Sequence, residues 1–103
     1  MIEIDGIREH VARCEYYFSK HGDQERQNDD LTIKEVEEAL VAGLIIEHYA
    51  DTGRGESCLV AGFTRTGIPI HVVCGLRGDW LAIITVYIPK PPKFKSIHQR
   101  GEP

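Results

Sequence analysis

The 103 residues contain no CxxC pair, no internal repeat, no low-complexity tract and no apolar run near the ~20 residues that span a bilayer. Each absence removes a class. Cys14, Cys58 and Cys74 are odd in number and far apart, so no zinc knuckle, redox motif or bridge is signalled. Free thiols are expected, with Cys58 and Cys74 serving as small hydrophobes inside strand patterns. The opening Met1-Ile2-Glu3-Ile4-Asp5 is acidic and lacks a signal-peptide pattern, so a cytoplasmic protein with no membrane partner is expected. A basic surplus is also lacking. Twelve Lys and Arg against 16 Asp and Glu leave a net charge of −4, unlike the usual basic footprint of a nucleic-acid binder.

What is present suits one domain spanning residues 1–103, with residues 96–103 expected as a flexible tail. Acids concentrate between Gln24 and Glu47, whereas the end holds Lys90, Lys93, Lys95, His98 and Arg100. Ile4, Ile7 and Val11 form a helical stripe. Tyr16-Tyr17-Phe18 reads as a strand or as a continuation of that helix. Ser19 is placed to cap a polar helix reaching Asn28, whose start Gly22 weakens by up to ~1 kcal/mol relative to alanine. Thr32-Ile33-Lys34-Glu35 is a capping box that starts a helix over Ile33 to Ala42, with Ile33, Val36, Leu40 and Leu44 on one face and Gly43 as a left-handed stop.

The period then changes to strands over Leu44 to Tyr49, Ser57 to Arg65, Ile68 to Gly75 and Trp80 to Ile88. Thr66-Gly67 is read as a two-residue turn, and prolines 89, 91 and 92 stop the last strand. The fold class predicted is α+β, with N-terminal helices packed on one face of a small antiparallel β-meander sheet. Alternation places His71, Thr85 and Tyr87 on the opposite face. The two-residue turn puts Gly62 across from His71, leaving room for a ligand beside the imidazole. Gly53-Arg54-Gly55 lacks the context of a phosphate-binding loop and is read as a flexible connection.

Phe18-Ser19-Lys20-His21, Glu35-Val36-Glu37-Glu38-Ala39-Leu40, His71-Val72-Val73 and Ile84-Thr85-Val86-Tyr87-Ile88-Pro89 resemble the bacterial family called domain of unknown function 4258. The resemblance runs from about Ile7 to Phe94. That family is distantly similar to RelE- and BrnT-like toxins, which implies a RelE/BrnT-like fold and a toxin–antitoxin-type protein. It also implies RNA as substrate, cut without a metal, and a zinc-finger antitoxin-like partner of the YgiT type. By position it singles out His21, Arg26, His71, Thr85 and Tyr87.

Those side chains suit that chemistry. Histidine is the side chain suited to proton transfer near neutral pH, so His21 and His71 fit acid–base catalysis of attack by a ribose hydroxyl. Arg26 fits a bidentate hold on phosphate, and Tyr87 a stack on a base. Each also has an ordinary structural use: a strand histidine beside Val72 and Val73 is commonly a hydrogen-bonded core residue, and Thr85 and Tyr87 are good strand formers. No spacing among His10, His21, His48 and His71 calls for a metal, and no motif calls for a cofactor. The reading favoured by the sequence is a metal-independent RelE-like endoribonuclease, with a non-catalytic protein-binding module as the alternative. The first needs a basic concave surface around His71; the second needs an exposed apolar patch or a free strand edge.

Overall fold

Thr32 and Glu35 close their capping box: the Glu35 amide donates to Thr32 Oγ1 (3.0 Å) and the Thr32 amide to Glu35 Oε1 (2.8 Å). In the computed structural model, which describes residues 1–90 and the backbone of 94–96 and 99–100, the helix started there runs Ile33–Ala42. The expected tail at 96–103, like the basic residues Lys93 and Lys95 before it, lies outside the described residues or has only its backbone described. In chain order the elements are α1 (Ile4–Ala12), β1 (Tyr16–Phe18), α2 (Lys20–Asn28), α3 (Ile33–Ala42), β2 (Leu44–Tyr49), β3 (Ser57–Phe63), β4 (Pro69–Arg77) and β5 (Trp80–Tyr87). A separate short pair, β6 (Phe94–Ser96) and β7 (Gln99–Arg100), follows.

The α+β class and the antiparallel meander β2-β3-β4-β5 are as predicted. The sheet is nevertheless mixed. Tyr16-Tyr17-Phe18 is a strand and pairs in parallel with Leu81, Ala82 and Ile83, so the strand order is β1-β5-β4-β3-β2. The α1 and α3 helices cover one face. Ile7 and Val11 of α1 and Val36, Ala39 and Leu40 of α3 are buried against Val60, Ile70, Val72, Cys74, Leu81, Ile83 and Val86. Ile33 and Leu44, expected on the same stripe, stay 47% and 55% exposed, because the buried arc is centred on Val36, Ala39 and Leu40. Arg8 ties the two helices together by donating from Nε to the Val41 carbonyl (2.9 Å) and from a terminal nitrogen to that of Gly43 (3.1 Å). Those carbonyls lie at the end of α3, where helical partners run out. Gly43 itself is extended (φ −84°, ψ 176°) rather than left-handed.

Two details of the sheet depart from simple alternation. The β3–β4 connection is a three-residue loop, Arg65-Thr66-Gly67, closed by the Thr64 amide on the Ile68 carbonyl (3.0 Å), with Gly67 left-handed at φ 89°. That is one residue longer than the predicted turn, so the register moves by one. Ala61 lies opposite His71, and Gly62 lies opposite Ile70 on the helix-covered face. There a Cβ on Gly62 would stand 2.0 Å from the Ala39 carbonyl oxygen, so the space beside Gly62 holds α3 and not a ligand. In β5 the register shifts between Val73↔Thr85 and Cys74↔Ile83, leaving Ile84 as the extra residue of a bulge. The bulge turns Leu81 and Ile83 to the same buried face as Val86, while Thr85 and Tyr87 keep the face of Val73 and His71.

Candidate functional site

The site residues suggested by the sequence fall in two places. His71 and Tyr87 are cross-strand partners on β4 and β5, with ring centroids 5.4 Å apart at 63° and His71 Nδ1 3.4 Å from the Tyr87 hydroxyl. Thr85 lies two residues along β5 on the same face, opposite Val73. His71 is fully buried at 0% exposure, and Leu59 and Ala61 on this face are buried with it. An edge-on aromatic contact of this kind also stabilises a sheet by ~0.5–1.5 kcal/mol.

His21 and Arg26 sit on α2, which follows a different logic. Beyond Ile83, β5 has no strand on one side, because β1 ends at Phe18. The α2 helix fills that place and its polar side chains take over the ladder. The Ser19 amide and hydroxyl donate to the Ile83 and Ile84 carbonyls (2.8 and 3.0 Å), while the Val86 and Ile88 amides donate to Glu25 Oε1 and Asp29 Oδ2 (3.0 Å each). A sheet edge covered in this way keeps its backbone groups satisfied. The approach is close at Gly22, where a Cβ would stand 2.7 Å from the Ile83 carbonyl oxygen and 3.0 Å from that of Ile84. Glycine at this position answers a packing demand and not a helix preference.

Within α2, His21 is largely exposed (69%) and its Nε2 lies 3.3 Å from Glu25 Oε1. Arg26 is 16% exposed and fully engaged. It donates to Asp23 Oδ1 through two nitrogens (3.0 and 2.9 Å) and to the Leu31 carbonyl (2.7 Å), and its guanidinium stands 5.8 Å from the Phe18 ring centroid. The His71–Tyr87 pair is thus brought together, Thr85 is beside it, and His21 and Arg26 are held in contacts within α2 and its flanks. Among the described residues no group of three or more His, Cys, Asp or Glu side chains is placed to hold a metal. His10 and His48 each bond to a backbone carbonyl, of Gly6 (2.8 Å) and Ile2 (3.1 Å). In the Gly53-Arg54-Gly55 loop both glycine amides donate to Asp51 Oδ1 at 2.8 Å, so the chain's own carboxylate occupies that nest and these bonds hold Asp51 below its usual pKa.

A further concavity lies elsewhere. A groove of about 700 Å³ runs between the end of α1, the outer side of α3 and the end of β3. Val11, Ala12, Val41, Ala42 and Phe63 make its lining mostly apolar, beside Lys34, Glu37, Glu38 and Arg65. Val41 and Phe63 are exposed by 48% and 43%, so the apolar surface is open to solvent. Glu37 is joined to Tyr16, whose hydroxyl donates to it; burial and this carboxylate push the phenol well above its ordinary pKa. Cys14, left-handed at φ 57°, marks one end of the groove. The sequence did not single out these residues as one groove. The available signal was Val41, an apolar residue outside the Val36-Ala39-Leu40 arc.

The chain belongs to the family described as domain of unknown function 4258, whose model matches residues 18–88. That match takes in α2, α3 and the whole meander. No curated protein and no solved structure matches the chain. Among the described residues no helix is long and apolar enough to cross a membrane.

Proposed function

We propose that this chain is a non-catalytic protein-binding module and that the groove between α1, α3 and β3 is its docking surface. The observation that carries the reading is the groove itself: the solvent-exposed apolar side chains of Val41 and Phe63 in a mostly apolar lining, with charged side chains beside them. Exposed apolar surface rimmed by polar groups is the mark of an interaction site. On α3 the groove uses Lys34, Glu37, Glu38, Val41 and Ala42, whereas Val36, Ala39 and Leu40 hold that helix to the core. A cytoplasmic setting belongs to the proposal and suits three reduced thiols.

A second reading keeps the toxin–antitoxin expectation: a metal-independent endoribonuclease of RelE/BrnT-like kind, with an antitoxin-like partner. The observation in its favour is the His71–Tyr87 pair with Thr85 beside it on one sheet face. Against it stand the full burial of His71 and the engagement of Arg26 by Asp23 and Leu31. A photo-crosslinking amino acid placed at Val41, with Gln24 as an exposed control, separates the two in cells that produce the protein. Protein adducts specific to position 41 are expected. Adducts to RNA from a crosslinker at Tyr87, with none to protein from position 41, would reverse the choice.

A further inference from the structure

We infer that Cys58 and Cys74 are a modification site for hydrogen peroxide, which closes an internal disulfide between β3 and β4 in the folded protein. The inference stands apart from the docking surface. The two residues are cross-strand partners, their sulfurs lie 4.0 Å apart, and both side chains are fully buried on the helix-covered face. The ladder fixes what kind of pair they are. The Thr64 amide bonds to the Ile68 carbonyl, and hydrogen-bonded pairs recur at every second position from there, through Gly62↔Ile70 and Val60↔Val72 to Cys58↔Cys74. Residues in such pairs have Cα atoms about 5.5 Å apart, which is also the usual separation across a disulfide. The backbone already stands at bridging distance. Only the sulfurs have to close, from 4.0 Å to the about 2.05 Å of an S–S bond. The sheet also has local give there: the Ile84 bulge of β5 falls beside Cys74, and the register shift between Ile45 and Glu47 of β2 falls beside Leu59, next to Cys58.

The pair lies toward one end of the sheet, since Cys58 is the second residue of β3. Ile2 and Ile7 share its buried cluster and also line an open concavity of about 240 Å³. A local opening of the native state at this wall admits peroxide, a molecule little larger than water. The hydrogen bond between the two sulfurs lowers the Cys58 pKa and raises that of Cys74, so Cys58 is the first to lose its proton. Its thiolate attacks one peroxide oxygen. The S–O bond forms, the O–O bond breaks, and the departing hydroxide takes up a proton and leaves as water. Cys74 then attacks the sulfur of the Cys58 sulfenic acid. The S–S bond forms, the S–O bond breaks, and a second water carries away the Cys74 proton. Two thiols and one peroxide give one disulfide and two waters, with two electrons passing from the sulfurs to the peroxide oxygens. In the reducing setting proposed above both residues are thiols at rest, and the bridge is transient, made by peroxide and undone by exchange with cellular thiols.

The test treats the folded full chain with hydrogen peroxide, as wild type and as Cys14→Ser, in which the exposed thiol no longer competes. Circular dichroism confirms the fold before and after treatment. Catalase stops the reaction, a thiol reagent in urea then labels whatever thiols remain, and digestion without reductant identifies the product by mass. In Cys14→Ser both thiols are expected to be lost together, with the mass lower by two hydrogens and the peptides of Cys58 and Cys74 linked. Dithiothreitol should restore both thiols. Wild type should give the same linked peptides, with any added oxygen confined to Cys14. Three results overturn the inference: Cys58 and Cys74 still free when Cys14 of the wild type is fully oxidised, oxygen added to either sulfur with no linked peptide, or a bridge that forms only once urea has unfolded the chain.

Discussion

Replacing Gly22 by alanine pits two effects of similar size against each other, and the structure decides between them. Alanine in place of glycine within a helix stabilises it by up to ~1 kcal/mol. At Gly22 the new Cβ would stand 2.7 and 3.0 Å from the Ile83 and Ile84 carbonyl oxygens, which belong to backbone and cannot rotate away. The α2 helix must therefore move off β5, at an overpacking cost of ~1–3 kcal/mol. The shift also lengthens the bonds from Ser19 to the same two carbonyls, and each such bond contributes ~1 kcal/mol. The balance is a net loss of about 1–2 kcal/mol, or roughly 5–15 °C in Tm for a domain of this size. Gly6 in α1 is the internal control, because nothing lies within 4 Å of its added Cβ. Gly6→Ala should stabilise by ~0.5–1 kcal/mol from helix preference alone. Urea unfolding of both variants measures the contrast. If Gly22→Ala stabilises as much as Gly6→Ala does, α2 does not pack against β5 as described.

Three other outcomes follow from the same contacts. Glu25→Ala leaves the Val86 amide without its acceptor and should cost ~1–3 kcal/mol, whereas Glu25→Gln keeps a carbonyl oxygen there and should cost less than half of that in the same unfolding assay. Tyr16 has a phenol pKa raised by burial and by Glu37, so it keeps its proton when folded after the unfolded chain has lost its own. Its contribution is intact below pH 10.0 and declines as pH rises beyond it; Tyr16→Phe should flatten that alkaline decline in a pH series of Tm values. Of the three cysteines, Cys14 is exposed, while Cys58 and Cys74 are buried opposite each other with sulfurs 4.0 Å apart. A thiol reagent should therefore label one site in the folded protein and all three in urea without reductant, and any shortfall in urea would reveal a bridge.

The sequence was most legible where local chemistry sets structure unaided. The capping box at Thr32 and Glu35 defines α3 to the residue, and prolines after Tyr87 stop β5 as expected. It was least legible where a long-range contact overrides a local rule. The parallel pairing of β1 joins residues 65 apart, Tyr16 to Leu81, and nothing near Tyr16 announces it. The Ile84 bulge and the three-residue loop before Ile68 each move the register by one, which alternation alone does not foresee. Within the acid-rich stretch after Gln24 only Glu35 had a backbone role legible in the sequence, yet Glu25, Asp29 and Glu38 each accept a backbone amide as well. His71 and Tyr87 were rightly placed on one face with Thr85, and the full burial of His71 is a tertiary property that the pattern does not carry.

The proposed function places this protein's action in its groove and not at His71. The most direct measurement incubates naked and ribosome-bound RNA with purified wild type, His71→Gln and Val41→Arg, each shown folded and free of any partner. Intact RNA in every tube is the predicted result. Cleavage by the wild type that survives Val41→Arg and disappears with folded His71→Gln, a loss on the scale of ~10²–10⁴-fold for a catalytic acid or base, would contradict the account.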